Sequence, residues 1–273
     1  MKRMINFKLT PAFSLMLGLL PFVLLVIAYM VGSDARLELN PNDKLLPGFD
    51  QIGNAIQRMA FEPNKRSGDY LLWVDTASSL TRLSLGVLIA AILGLMIGLL
   101  TGALPLIASG FSPLLTVASL IPPLALLPVL FIVFGLGELS KVMLIAIGIT
   151  PFIARDLQRR TLEIPAEQLV KAQTLGANTS QILIRVLLPQ LMPRLIDAVR
   201  LSMGAGWLFL IAAEAIAATD GLGYRIFLVR RYMSMDVILP YVAWITLLAF
   251  MFDQALAWLN TRLYPWNVQG GRS

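Results

Sequence analysis

Long apolar blocks with few or no charges alternate with polar segments along this 273-residue chain. An α-helix needs ~20 apolar residues to cross the hydrocarbon core of a bilayer. Five blocks approach or exceed that length, and a sixth is shorter. We therefore predict an all-α membrane protein with about six transmembrane helices. The predicted spans are 13–31, 76–104, 111–134, 142–153 (with a possible extension to 157), 195–218 and 237–259.

The distribution of basic residues sets the predicted orientation. Lys2, Arg3 and Lys8 precede the first span, and the segment 155–200 is rich in Lys and Arg. Because loops rich in basic residues stay in the cytoplasm, both termini are expected inside. The segment 32–75 then lies on the outer face. No Ala-x-Ala site follows the first apolar block, so we interpret it as an uncleaved span.

The same pattern divides the chain into units. We predict an N-terminal span with an outer segment (1–75) that contains a short helix at 49–59. A core (76–266) follows, with a cytoplasmic loop at 156–193, and then a tail (267–273).

The amino-acid composition excludes several kinds of catalytic and metal-binding site. The chain is 57% apolar and 14% charged, and it has neither cysteine nor histidine. Disulfides, Cys/His zinc sites, cysteine nucleophiles and Ser-His-Asp triads are therefore excluded, and we predict no catalytic and no metal site. The formal net charge is +6. We attribute this excess of basic residues to loops that face the cytoplasm, and we therefore expect no nucleic acid as a partner.

The cytoplasmic loop carries helix start and stop signals. Pro165 suits a first helical position, and Gly176 can end that helix with a positive φ. Asn178 and Gln181 form a capping-box pattern for a second helix, which Pro189 is expected to end. Two short helices outside the bilayer predict a docking partner.

This loop resembles the cytoplasmic "EAA" loop of ABC importer permeases: Glu-Ala-Ala, three residues, Gly, nine residues, then Ile-x-Leu-Pro. Ala172, Gly176, Leu188 and Pro189 match in register, whereas residues 170–171 depart from the first Glu-Ala. The resemblance implies a coupling helix that binds an ATPase. The residues expected to take part are Glu167, Ala172, Thr174, Leu175, Gly176, Ala177, Leu188 and Pro189.

Four further motifs resemble the nitrate/sulfonate/taurine branch of these permeases, and the likeness covers about 46–266. They are Ser79-Leu-Thr-Arg82-x3-Gly86, Ile121-Pro-Pro-Leu-Ala-Leu-Leu-Pro128, Phe134-Gly-Leu-Gly-Glu-Leu-Ser-Lys141 and Ala213-Glu214-x6-Gly221-Leu-Gly223-Tyr224.

This resemblance implies a type I ABC importer permease fold in a bacterial inner membrane. It also implies a second permease copy, a cytoplasmic ATPase dimer and a periplasmic solute-binding protein, with a small anion such as a sulfonate, nitrate or phosphonate as solute. The chain lacks a Gly-x4-Gly-Lys-Ser/Thr phosphate loop. We therefore expect no cofactor on this chain, and ATP with Mg²⁺ on the partner ATPase.

Charges inside spans are costly and indicate function. Arg82 and Glu214 fall near the outer ends of the second and fifth spans. We favour a structural ion pair between them; contact of Arg82 with an anionic solute, or with the membrane interface, is the alternative. Asp253 is poorly placed for either. Arg225 is expected in a solvated outer loop.

Uncharged candidates for the pathway lie on the third and fifth spans. Pro122 and Pro123 predict a kink, which either is purely structural or lines the pathway. Met203 and Trp207 belong to the core or lipid face, or line the pathway.

Two other functions would leave different patterns in the sequence. A self-sufficient channel or secondary transporter predicts an inverted repeat or a row of acids along one span. A membrane-embedded enzyme predicts a nucleophile or metal cluster near one interface. Neither pattern is visible in the sequence.

Overall fold

The computed structural model describes residues 10–40, 43–65 and 68–266. Lys2, Arg3, Lys8 and the predicted tail at 267–273 lie outside these ranges. All regular elements of the described residues are helical. The α-helices are α1 (Pro11–Leu39), α2 (Phe49–Ala60), α3 (Leu71–Ala103), α4 (Pro105–Leu120), α5 (Leu127–Phe134), α6 (Glu138–Leu162), α7 (Ala166–Thr174), α8 (Thr179–Gln181), α9 (Leu188–Ala217), α10 (Leu222–Arg230) and α11 (Met235–Leu263).

Four of these stretches are long and apolar enough to cross a membrane: α1, α3, the continuous helix Thr179–Ala217 and α11. The bent pair of α4 and α5 makes a fifth. The remaining predicted span is α6, which is 25 residues long but has only the uncharged interval 142–154 between Lys141 and Arg155. Protein rather than lipid surrounds much of this helix, since many of its residues are buried.

The glycines of α3 bring α6 into close contact. A Cβ atom at any of four glycines would lie 2.5–2.7 Å from an α6 side-chain atom, so only glycine permits this approach. The α6 residue number exceeds the α3 number by the same amount at every contact, so the two helices run parallel. Their N-terminal ends define the outer end of the molecule. The contacts are Gly86 with Ile145, Gly94 with Ile153, Gly98 with Leu157 and Gly102 with Thr161.

The third predicted span is broken rather than kinked. Helices α4 and α5 enclose an angle of 88°, and a 3₁₀ turn, Pro123–Leu126, joins them. Ile121 is extended because a residue before proline avoids the helical region. Pro122 and Pro123 supply no N–H, so the α4 hydrogen-bond ladder ends there.

Helix α1 buries none of its most apolar stretch within the chain. It is fastened at its outer end, where Tyr29 Oη donates to the carbonyl of Pro47 (2.6 Å) and Ser33 Oγ to that of Leu46 (3.0 Å). The hydrogen bond from Arg36 lowers the pKa of the Asp43 carboxyl. The predicted helix at 49–59 is present as α2, packed against α11 and α3.

Pro189 does not end the second helix of the cytoplasmic loop. The helix that begins at Thr179 continues to Ala217. Proline cannot donate to the carbonyl four residues earlier, and a π-helical segment, Ile182–Leu187, precedes it and accommodates the missing donor. The prediction of two separate short helices is therefore wrong: only α7 is separate, and α8 is the inner end of the fifth span.

Candidate functional site

The turn after α7 is fixed by backbone hydrogen bonds. Gly176 has φ +82°, and its N–H donates to the carbonyl of Gln173 (2.9 Å). The N–H of Ala177 donates to the carbonyl of Ala172 (3.0 Å). These two bonds form a Schellman motif, which satisfies the last carbonyls of the helix. The predicted stop at Gly176 is confirmed.

The next helix starts at once. The N–H of Gln181 donates to Asn178 Oδ1, and the N–H of Asn178 donates to Gln181 Oε1, both at 2.9 Å. The predicted capping box is therefore present. Helix stop and helix start together leave a four-residue connection, 175–178, with its backbone held in one conformation.

Apolar side chains in this turn and in the helices on either side of it are exposed. Leu175 is 85% exposed, and Val170 and Ile184 are more than half exposed. A side-chain bond from Gln190 Nε2 to Gln168 Oε1 (3.1 Å) ties α7 to α9. Exposed apolar side chains on a separate surface helix are typical of a protein contact.

The structure gathers most residues predicted for ATPase binding in α7 and its C-terminal turn. Leu188 and Pro189 lie apart in sequence, at the start of α9. Pro189 is exposed and Leu188 is half-buried. Their contact with an ATPase stays a prediction. In α7 and its turn lie Glu167, Ala172, Thr174, Leu175, Gly176 and Ala177.

At the outer end, Arg82 and Glu214 form the predicted ion pair. Arg82 Nη1 lies 2.8 Å from Glu214 Oε1, and the two residues are 4% and 0% exposed. Ser79 Oγ donates to the same carboxylate at 2.7 Å. A buried charge is tolerated when it is paired and hydrogen-bonded, and this carboxylate meets both conditions.

Buried side chains also cap the N-terminus of α10. The first N–H groups of a helix have no partner inside it and attract negative charge. Here three of them donate to buried oxygens on α3 and α9. The bonds are Gly221 N to Asp75 Oδ1 (2.9 Å), Leu222 N to Ser79 Oγ (2.8 Å) and Gly223 N to Glu214 Oε2 (2.8 Å).

Two features of this arrangement each require a glycine at position 221. Its φ of +116° lies in the region that favours glycine. A Cβ atom there would lie 2.5 Å from Glu214 Oε1 and 2.7 Å from Arg82 Nη1. The glycine at position 221 is therefore explained by the ion pair that it covers.

More charges surround this pair. The Arg82 guanidinium also donates to Glu138 Oε1 (2.9 Å). It donates as well to the side-chain carboxylate and to the backbone carbonyl of Asp220. Lys141 Nζ donates to Glu138 Oε1 at 2.7 Å. The network joins α3, α6, α9 and the start of α10. We call it the outer charge network; its ionic members are Asp75, Arg82, Glu138, Lys141, Glu214, Asp220 and Arg225.

Arg225 does not lie in a solvated loop. Its Nε donates to Asp75 Oδ2 at 2.8 Å, and Tyr241 Oη donates to the same oxygen at 3.0 Å. Asp75 is completely buried, so it requires these partners. The expectation of a solvated Arg225 is wrong because a buried carboxylate needs a counter-charge.

Sequence reasoning missed Asp75 as part of this site. The sequence pattern places this residue at the end of the polar outer segment (32–75), whereas in the structure α3 already begins at Leu71. Asp75, Ser79 and Arg82 follow the i, i+4, i+7 spacing of one helical face. That spacing was the available signal.

The pathway candidates on α9 are buried inside the chain. Met203 and Trp207 are 7% and 5% exposed, and Trp207 Nε1 has no hydrogen-bond partner among the described residues. Pro122 is exposed at the bend between α4 and α5, beside the partly buried Pro123. Contact of any of them with a solute stays a prediction.

A second ion pair lies nearer the inner end. Arg200 on α9 bonds to both oxygens of Asp253 on α11, at 2.9 and 3.0 Å. As expected, Asp253 bonds to neither Arg82 nor Glu214. Both members of the pair are about one-third exposed, in contrast to the buried pair of Arg82 and Glu214.

The amino-acid sequence is similar to a family of known membrane proteins. A family described as "Binding-protein-dependent transport system inner membrane component" matches residues 86–265. The taurine transport system permease protein TauC of Escherichia coli (strain K12) is 36% identical over 199 residues, 73% of this chain and 72% of that protein. The bicarbonate transport system permease protein CmpB of Synechococcus elongatus is 31% identical over 193 residues, 70% of this chain and 68% of that protein.

A solved structure shares the fold. One chain of the MetNI methionine ABC transporter in an inward-facing conformation superposes with a TM-score of 0.63 at 22% identity. The match covers 73% of this chain and 99% of that chain. The fold predicted from the sequence is confirmed by this likeness.

Proposed function

Since the chain belongs to the family of binding-protein-dependent transport system inner membrane components, the inner-membrane permease subunits of ABC importers, we propose that two copies of it form the pathway for a small oxyanion. A periplasmic solute-binding protein delivers the solute. A cytoplasmic ABC ATPase dimer binds ATP with Mg²⁺ and hydrolyses it. This chain itself binds no cofactor and catalyses no reaction.

The turn after α7 carries the proposal. It offers exposed apolar side chains on a helix whose end is fixed by the Schellman motif and the capping box. A groove on an ATPase subunit is the partner expected from the resemblance to the EAA loop. In this assignment the closing ATPase dimer moves α7 as a rigid body.

One continuous helix connects this contact to the outer charge network. Thr179–Ala217 is 39 residues long, about 58 Å at 1.5 Å per residue. Its inner end packs against α7 through the π-helical segment, and near its outer end it carries Glu214. Movement of α7 therefore displaces a helix that spans the bilayer, which suits alternating access by rigid-body switching.

The solute class is supported by the relatives. Their names state taurine and bicarbonate as transported solutes, and taurine carries a sulfonate group. We assign to this chain a small solute with an oxyanion group, such as a sulfonate, nitrate or phosphonate.

The test compares two glycine variants in the complete transporter. Gly176 and Gly68 have φ of +82° and +77°, and neither has an atom within 4 Å of a Cβ position. Gly176→Val and Gly68→Val therefore impose similar backbone strain at opposite ends of the molecule. The first measurement is the amount of cognate ATPase that co-purifies with the permease. The second is ATP hydrolysis by the complete transporter when its solute-binding protein and taurine are added.

We expect two ATPase subunits per permease dimer in the wild type and in Gly68→Val, and their loss from Gly176→Val. Normal binding and stimulation in Gly176→Val would refute the assignment of α7 as the coupling helix. If wild-type permease retains no ATPase, the importer proposal is refuted. If ethanolamine, which lacks the sulfonate of taurine, stimulates hydrolysis equally, the oxyanion assignment is refuted.

A further inference from the structure

A polar groove lies between α4 and the inner half of α6. Its volume is about 630 Å³, and its lining includes Ser119, Arg155, Asp156 and Arg159. It is distinct from the turn after α7 and from the outer charge network. None of the residues predicted for ATPase binding or for the pathway lines it.

The groove contains cations without counter-charges. Among the described residues, neither Arg155 nor Arg159 has a carboxylate oxygen within 4.0 Å. Arg155 Nη1 donates to Ser119 Oγ at 2.7 Å. The acid in the lining, Asp156, is engaged by Arg160 at 3.8 Å. The groove therefore has a net positive charge and free N–H donors, which suit an oxyanion.

The depth of the groove matches the inner lipid headgroups. Arg155 is seventeen residues after Glu138 along α6, about 26 Å at 1.5 Å per residue. Glu138 belongs to the outer charge network, and the hydrocarbon core is ~30 Å thick. The guanidinium groups therefore lie close to the cytoplasmic boundary of the hydrocarbon core.

The rest of the groove is apolar. Leu120, Phe152 and Leu162 line it and are 74%, 48% and 68% exposed. A small hydrophilic anion gains little from such walls, whereas an acyl chain is stabilised by them. Basic pockets between membrane helices on the cytoplasmic side are typical sites for anionic lipid headgroups.

We propose that this groove binds an anionic phospholipid of the inner leaflet. Arg155 and Arg159 hold the phosphate group, with Ser119 orienting Arg155, and the acyl chains lie against Leu120 and Phe152. The lipid occupies the space between α4 and α6, close to the short connection that leads from α6 to α7.

The test measures lipid binding to the purified permease–ATPase complex in a neutral detergent. Phosphatidylglycerol and phosphatidylcholine are titrated, and bound lipid is counted by native mass spectrometry together with the melting temperature. The test variant is Arg155→Gln/Arg159→Gln. The control is Arg194→Gln/Arg262→Gln, which removes two other exposed arginines near the inner end.

We expect phosphatidylglycerol to bind and to raise the melting temperature more than phosphatidylcholine does. Affinity should fall about 25-fold in the test variant, since each of the two basic residues near an anionic lipid contributes roughly fivefold, and only slightly in the control. Equal losses in both variants would overturn the proposal in favour of general surface charge. It would also be overturned if phosphatidylglycerol has no effect while inorganic phosphate or taurine stabilises the wild type through these arginines.

Discussion

The two ends of the molecule satisfy their side chains in opposite ways. At the outer end, Asp75, Arg82 and Glu214 are buried and hydrogen-bonded within the chain. At the inner end, the apolar residues Val170, on α7, and Leu175, in the turn after it, are exposed. The buried charges of the outer end are satisfied within one chain, whereas the exposed apolar side chains of the inner end are not covered by it.

This contrast separates stability from assembly. A change in the outer charge network leaves buried charges without partners, and the folded permease should lose stability. A change in the turn after α7 removes contacts that only a partner makes, so the permease should fold normally and fail to assemble. The predictions below are ordered by their expected effect on the stability of the permease.

The largest effect is expected from Glu214→Ala. The substitution removes the carboxylate that pairs with Arg82, accepts from Ser79 and caps α10 at Gly223. Removal of one member of a buried pair costs about 3–5 kcal/mol. The measurement is the free energy of unfolding of the permease in mixed micelles, monitored by the loss of helical circular dichroism.

Asp253→Ala is the matched control, because its pair with Arg200 is about one-third exposed. An exposed ion pair contributes about 1 kcal/mol or less. Similar losses for the two variants would show that burial at the outer end is irrelevant, and the contrast between the ends would fail.

A smaller loss is expected from Gly98→Ala. The new Cβ atom would lie 2.7 Å from Leu157 Cβ and 2.8 Å from the backbone carbonyl oxygen of Ala154. A backbone atom inside a packed helix cannot move away alone, so α3 and α6 must separate. Overpacking of this kind costs about 1–3 kcal/mol, measured by the same unfolding assay.

Gly110→Ala provides the comparison for this variant. Gly110 lies in α4, and no atom is within 4 Å of its Cβ position. Alanine favours a helix over glycine by up to about 1 kcal/mol, so this variant should be as stable as the wild type or slightly more stable. A neutral Gly98→Ala would contradict the close packing of α3 on α6.

Local signals in the sequence predicted local structure correctly. Gly176 and Asn178 end and begin helices as expected. The pairing of Arg82 with Glu214 followed from their equal depth in two antiparallel spans. These features depend on spacing along one helix, or on depth, which a sequence records.

Features that depend on neighbouring helices were not predictable in the same way. Asp75 looks like a loop residue, since a charged residue beside an apolar block normally marks its end; only Arg225 and Tyr241 make its burial possible. Pro189 looks like a helix end, because a proline usually ends a helix; the π-helical segment before it lets the helix continue. The short uncharged interval of α6 reflects its enclosure by other helices.

The smallest effect on stability, with a large effect on assembly, is expected from Leu175→Glu. Leu175 is 85% exposed and Leu39, at the outer end of α1, is 88% exposed, so Leu39→Glu is a control of equal exposure. Exposed substitutions usually change stability by less than about 0.5 kcal/mol, and both permeases should unfold like the wild type. Only Leu175→Glu should lose its bound ATPase on co-purification, because a carboxylate would then be placed in an apolar contact. If Leu39→Glu loses the ATPase as well, or if neither variant does, Leu175 is not a docking residue, and its exposure at the inner end has another cause.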